Sequence, residues 1–190
     1  PAASISYYRA GLWQKDTFYT LLLHNARNFG DRVALVDSRR RLTWQDLRAW
    51  VDGIAAELKA FGLVRGDRVS SWVSNRSESI ALFLACSREG FAYNPSLHRS
   101  HTCAEVGLFL RLLSPRALVT ESGWGADRDA VNLDTVLSDI QSLKVVYDVD
   151  NFPRPAPNLT PVHEDPDTIV YIAFTSGTTG APKGVYLTHR

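Results

Sequence analysis

Residues Thr175 to Gly184 read TSGTTGAPKG, which puts three glycines, four hydroxyl side chains and one lysine into ten residues, directly after the apolar run IVYIAF. Gly177, Gly180 and Gly184 lack the Cβ atoms that would keep a backbone from folding tightly around a ligand, and they tolerate positive φ. Exposed backbone N–H groups, joined by the hydroxyls of Thr175, Ser176, Thr178 and Thr179, make a concave set of donors for anionic oxygens. Lys183 adds a mobile point charge for the same anion. A polyphosphate matches that donor set. The run is not a Walker A loop, which needs Gly-Lys-Ser/Thr leading into a helix, because Pro182 precedes the lysine, Gly184 follows it, and the strand-like VYLT comes next. Surface loops without any ligand are also rich in Gly, Ser and Thr, and residue types alone leave both readings open.

A second cluster, HRSHTC, brings His98, His101 and Cys103 close in sequence. Zinc sites draw on Cys/His pairs at characteristic spacing. No partner pair occurs elsewhere, so the expectation is a solvated loop and no metal site. His189 could serve as a ligand or pack at a helix start. Trp44, Trp50 and Trp72 fall on apolar faces and read as core.

Composition removes several function classes. With 21 basic and 20 acidic residues the formal charge is +1, which leaves no electrostatic footprint for nucleic acid. Arg39, Arg40 and Arg41 read as a solvated hairpin turn. Cys86 and Cys103 offer no disulfide framework, which favours a reducing, cytoplasmic setting. PAASISYYRAG has neither the basic nor the apolar region of a cleavable signal, and no apolar run reaches the length that spans a bilayer. The sequons at Asn75 and Asn158 are therefore read as chance. The chain has no Met and begins at Pro1, which suggests a piece of something longer.

The elements that must hold the glycine stretch alternate regularly. After Asp16, read as an N-cap, Phe18, Leu21, Leu22, Ala26 and Phe29 recur at helical spacing up to Gly30. VALVD at 33–37 and RLT at 41–43 form a hairpin. Thr43 with Asp46 caps a helix whose apolar stripe runs from Leu47 to Phe61, stopped at Gly62. RVSSWV is a strand, residues 78–89 a helix ending at Gly90, and FAY a strand. Thr102 and Glu105 form a capping box for a helix to Leu113, stopped by Pro115 before the strand RALVT. A helix over 133–140 and the strand KVVYDV follow. Prolines at 153, 155, 157, 161 and 166 make an extended connector. TIVYIAF then has the continuous apolar character of a strand covered on both faces. The alternation predicts an α/β fold on a mostly parallel sheet.

The stretch YIAFTSGTTGAPKGVYLTHR resembles the phosphate-binding signature of the adenylate-forming superfamily: acyl-CoA synthetases, peptide-synthetase adenylation domains and luciferases. RLTWQDL, GLVRGDRVSSWVSN, LFLACSREGFAYNP and SHTCAEVGLFLRLLSPRALVTE resemble family segments in the family's order. The resemblance covers the chain from about Thr17 onward and is least informative over 121–165. It implies the first part of the large N-terminal domain of an acyl-CoA synthetase-like enzyme. It further implies activation of a fatty or other lipophilic carboxylic acid by ATP and Mg2+ to an acyl-adenylate, then transfer to coenzyme A. Thr175, Ser176, Gly177, Thr178, Thr179, Gly180 and Lys183 would hold the β- and γ-phosphates, with Thr175 and Lys183 in an electrostatic role. The family histidine corresponds to His189. Asn94-Pro95-Ser96-Leu97-His98 departs from the family's Pro-Leu-Asn/Asp-Pro, which leaves the acid open.

The expected organisation is an N-terminal α/β subdomain at 1–149, a connector at 150–167, and at 168–190 a strand, the phosphate loop and the start of a truncated subdomain. Adenine, ribose, metal and acid sites would lie beyond Arg190. The chain alone would then be inactive and prone to self-association. Two alternatives stand beside this: an adenylation domain that hands its acyl group to a carrier protein, and a nucleotide-binding or structural module without catalysis.

Overall fold

The computed structural model describes residues 2–95, 97–175 and 183–190. In chain order the elements are α1 (Ala2–Arg9), α2 (Phe18–Asn28), β1 (Val33–Val36), β2 (Arg41–Thr43), α3 (Trp44–Ala60), β3 (Arg68–Trp72), α4 (Ser77–Glu89) and β4 (Ala92–Asn94). They continue with α5 (Cys103–Leu113), β5 (Ala117–Thr120), α6 (Leu133–Leu137), β6 (Val145–Asp148), β7 (Tyr171–Thr175) and β8 (Lys183–Leu187).

Six strands form one sheet in the order β6-β5-β3-β4-β7-β8, while β1 and β2 make a separate antiparallel hairpin. Neighbours from β6 to β7 pair in parallel, and β8 returns antiparallel to β7. Because the side-chain period of a strand is two, each strand feeds both faces of the sheet. Val69 of β3 and Val119 of β5 join the core under α2, α3 and α4, which includes Leu47, Val51, Ile54, Leu58 and Leu82. Trp72 and Leu118 point the other way, into a core with Cys103, Val106, Leu110 and Leu133 of α5 and α6. Trp50 and Trp72 are buried, and Trp44 packs half-buried against the first core. This is the mostly parallel α/β architecture the alternation predicts.

Local signals explain most boundaries. At α3 the Thr43 hydroxyl accepts from Asp46 N–H at 3.1 Å while Asp46 Oδ2 accepts from Thr43 N–H at 3.0 Å, and Thr102 and Glu105 repeat the arrangement at α5. Gly90 follows α4 at φ 72°, a left-handed cap that glycine adopts without strain.

Several expectations need correction. Thr17, not Asp16, caps α2: its hydroxyl accepts from Thr20 N–H and Thr20 Oγ1 accepts from Thr17 N–H at 2.8 Å. A threonine at the third helical position performs the reciprocal role usually taken by Glu or Gln. That helix ends at Asn28 and α6 at Leu137, short of the predicted limits. Helix α1 carried no recognised signal. The arginine turn is not simply solvated, since Arg40 lies over the Trp50 ring at 4.4 Å and pairs with buried Glu78 at 2.8 Å. In β7 only Ile172 is fully buried; Tyr171 and Phe174 are half-buried, against Phe83 of α4 at 6.1 Å and Phe109 of α5 at 5.0 Å.

Candidate phosphate-binding site

Since β7 runs parallel to β4, its carboxyl end at Thr175 emerges on the same side of the sheet as the ends of β3, β4 and β5. Ligands of open α/β sheets bind outside the carboxyl ends of strands. The crevice between β3 and β5, where connections depart to opposite faces, is filled by the chain's own charges. There Glu121 accepts from Ser74 N–H at 2.7 Å and pairs with Arg76 at 3.1 Å, and Arg76 pairs in turn with Glu78 at 2.8 Å.

Two of the predicted site residues, Thr175 and Lys183, lie among the described residues. Thr175 closes β7 and Lys183 opens β8, the two being register partners across the hairpin. Thr175 Oγ1 donates to Lys183 O at 3.5 Å, and both side chains face solvent. Lys183 thus belongs to a strand rather than to the loop, which fixes its Cα while its side chain stays exposed. A Cβ on Gly184 would meet nothing closer than 3.8 Å, so its neighbourhood is roomy. Ser176, Gly177, Thr178, Thr179 and Gly180 lie outside the described residues. A solvent-facing hydroxyl and cation at the carboxyl end of a strand suit the phosphates of a nucleotide.

Two polar residues hold this hairpin in place. Asn94 is fully buried in β4 and donates from Nδ2 to Ile172 O at 2.7 Å. Its only sequence signal was a polar residue closing an apolar strand. His189 accepts on Nδ1 from Phe18 N–H, the first orphan donor of α2, at 3.2 Å, with its ring against the Phe18 ring at 5.3 Å. Burial, reinforced by nearby His163, pulls the His189 pKa down to about 4, so the ring is neutral and able to accept. Of the two roles the sequence left open, the geometry shows packing at a helix start.

His98, His101 and Cys103 do not converge. His101 Nδ1 accepts from His98 N–H at 3.1 Å, whereas the Cys103 thiol is buried toward Val131 O at 4.0 Å. Among the described residues no three His, Cys, Asp or Glu side chains gather around a metal position. Nor is any described helix long and apolar enough to cross a membrane.

Comparison with known proteins bears on the same segment. The model of the family described as "AMP-binding enzyme" matches residues 22–190. A 4-chlorobenzoate–CoA ligase of Arthrobacter sp is 30% identical over 186 residues, 92% of this chain and 33% of the relative. A medium/long-chain-fatty-acid–CoA ligase of Mycobacterium tuberculosis is 32% identical over 186 residues, 92% of this chain and 30% of the relative. Among solved structures, the inhibitor-bound N-terminal domain of FACL13 from M. tuberculosis superposes with a TM-score of 0.78 at 23% identity, covering 92% of this chain and 44% of that one. The chain spans about a third of the length of the curated relatives it matches, 35% and 33% for the first two. With a family match over most of its residues and the same fold, the chain belongs to the AMP-binding enzyme family of adenylate-forming ligases.

Proposed function

We propose that the full-length protein carrying this chain is an AMP-forming acid–thiol ligase, and that residues 175–184 hold the phosphates of its nucleotide. The observation that carries the reading is the solvent-facing pair of Thr175 and Lys183 at the carboxyl end of β7, inside a segment matched by the family model. In the first half-reaction a carboxylate oxygen of the acid attacks the α-phosphorus of ATP, and the bond to the bridging oxygen breaks to release pyrophosphate. In the second a thiol sulfur attacks the acyl carbon, AMP departs, and the thiol proton passes to solvent. Mg2+ would neutralise phosphate charge.

This chain's own residues need supply no general base in that scheme. Their part is electrostatic: Lys183 and the Thr175 hydroxyl meet negative charge as it shifts toward the leaving pyrophosphate, at positions set in advance by the hairpin. Acids acted on by the relatives named above are lipophilic, one aromatic and one fatty, and a lipophilic acid is proposed here with coenzyme A as acceptor, in the cytoplasm.

Acid-dependent ATP–pyrophosphate exchange by the full-length protein, with a panel of fatty, aromatic and alicyclic acids, tests the reading. Exchange with none of them, despite nucleotide binding, would leave a binding module instead of a ligase. Release of AMP on adding coenzyme A separates that acceptor from a carrier protein. Lys183→Ala should slow exchange by roughly 10- to 100-fold, the loss of one charge-assisted contact of about 1.5–3 kcal/mol. An unchanged rate would remove Lys183 from the site.

A further inference from the structure

By composition the stretch 150–167 is a linker, yet it is bonded to α3 and α4 at successive points. Trp50 Nε1 donates to Pro153 O at 2.8 Å and Ala156 N–H to Ala49 O at 3.2 Å. Arg88 Nη2 donates to the carbonyls of Asn158 and Thr160 at 3.0 and 3.1 Å, and Nη1 to Thr160 Oγ1 at 3.1 Å. His163 N–H then donates back to Arg88 O at 2.9 Å. The segment is a strap drawn across two helices.

Arg88 is the centre of that arrangement. It is 1% exposed, its Nε donates to buried Asp52 at 2.9 Å, Nη1 also reaches Glu89, and the guanidinium lies over the Tyr19 ring at 5.3 Å. Burying such a charge costs several kcal/mol and is offset only when every donor is satisfied, and a well-packed apolar side chain would often serve stability as well. What an apolar residue cannot supply is a rigid planar fork that fixes two carbonyls at set positions. Downstream of this grip, His163 Nε2 lies 2.7 Å from Thr168 Oγ1, and Arg65 donates to Asp165 and Thr168 at 2.9 and 3.0 Å. Three residues after Thr168 β7 begins, and it registers with β4 only at Tyr93 and Tyr171. So short a ladder does not by itself settle where the hairpin sits, and the strap shares that task with Asn94 and His189.

The geometry points to Arg88 as a positioning residue: by holding the strap at Asn158 and Thr160 it sets where β7 and β8, and with them Thr175 and Lys183, stand at the carboxyl edge of the sheet. Its link to catalysis rests on the adenylation reading above. The test uses the full-length protein with Arg88→Lys, which retains the charge facing Asp52 and loses the fork. Asn158→Ala is the second variant. It removes the turn in which Asn158 Oδ1 accepts from Thr160 N–H at 3.0 Å and leaves the buried guanidinium intact.

Hydrogen exchange should speed up about tenfold or more at Ala156 and His163 in the strap and, with them, at Val170 and Tyr93, whose amides bond across the base of the hairpin. KM for ATP should rise about fivefold or more with little change in kcat, since a misplaced hairpin weakens nucleotide binding whereas a merely structural defect lowers the active fraction and spares KM. The proposal is overturned if the strap amides loosen while Val170 and Tyr93 keep their protection, or if KM is unchanged in a folded variant. Should Arg88→Lys not fold, Asn158→Ala decides by the same criteria. A wild-type protein without exchange activity would defeat the adenylation reading, and the amides alone would then decide the placement of the hairpin.

Discussion

Gly53 lies buried in the middle of α3, and replacing it with Ala sets two effects of known size against each other. In an unobstructed helix interior the change from Gly to Ala gains about 1 kcal/mol. Here the new Cβ would stand 2.1 Å from Arg154 O and 2.8 Å from Ala156 N, and both are backbone atoms that cannot rotate away. The strap would have to retreat by about 1.4 Å to reach ordinary contact distance. That retreat stretches the 3.2 Å bond from Ala156 N–H to Ala49 O and the 2.8 Å bond from Trp50 Nε1 to Pro153 O. Two hydrogen bonds are worth about 1 kcal/mol each, and a buried indole N–H left without a partner adds about 1–3 kcal/mol. The loss exceeds the helix gain, so Gly53→Ala should destabilise by about 2–4 kcal/mol, lowering Tm by roughly 4–16 °C for a domain of this size. Urea and thermal melts of the variant beside the parent measure it. A variant as stable as the parent, or more so, would mean that the strap is not seated on α3.

Lowering the pH from 6.5 toward 4 should cost stability through His189. Its folded pKa is depressed to about 4, so the unfolded chain binds the extra proton first, and the contribution is complete above the unfolded value and lost as pH falls through that window. His189→Gln retains an acceptor for Phe18 N–H and should flatten the pH dependence of urea melts between 4 and 6.5; parallel curves for variant and parent would refute this. Thr17→Ala should cost about 1 kcal/mol of stability and Asp16→Ala less than about 0.5 kcal/mol, and the reverse order in urea melts would return the cap to Asp16. The edge strand β8 exposes Val185, Tyr186 and Leu187 at 41, 62 and 47%. Light scattering of this 190-residue chain should therefore show association that Tyr186→Lys reduces; a monomer at all concentrations would contradict it.

Signals confined to one helical turn were legible in the sequence. The capping boxes at Thr43 and Thr102 and the stop at Gly90 need only their neighbours, and the structure has them where the spacing puts them. Thr17 was passed over because the adjacent aspartate is the stronger N-cap by type and the reciprocal partner, Thr20, is not the usual one. Arg40 and Arg88 were opaque for a different reason. The partners that bury them, Glu78 and the carbonyls of Asn158 and Thr160, stand far away in the chain, and no local pattern reports a long-range ion pair. Thr175 and Lys183 could be picked out as candidates by residue type, but that they face each other across a ladder follows from the antiparallel return of β8, which the strand-like character of VYLT alone does not specify.

The pairing of Thr175 with Lys183 bears on the thermodynamics of ligand capture. A seven-residue segment, 176–182, joins two positions that the sheet already holds side by side. Bringing the ends of a free segment of that length together costs about (3/2)RT ln 7, or about 2 kcal/mol. The sheet meets this cost when the protein folds, so on the proposed phosphate-binding reading it is not charged to ligand capture. If the proposed site holds, anything that frays the last rung of β7 and β8 would move that cost back onto binding and weaken affinity by a factor of about 30, with the proposed contact residues themselves unchanged.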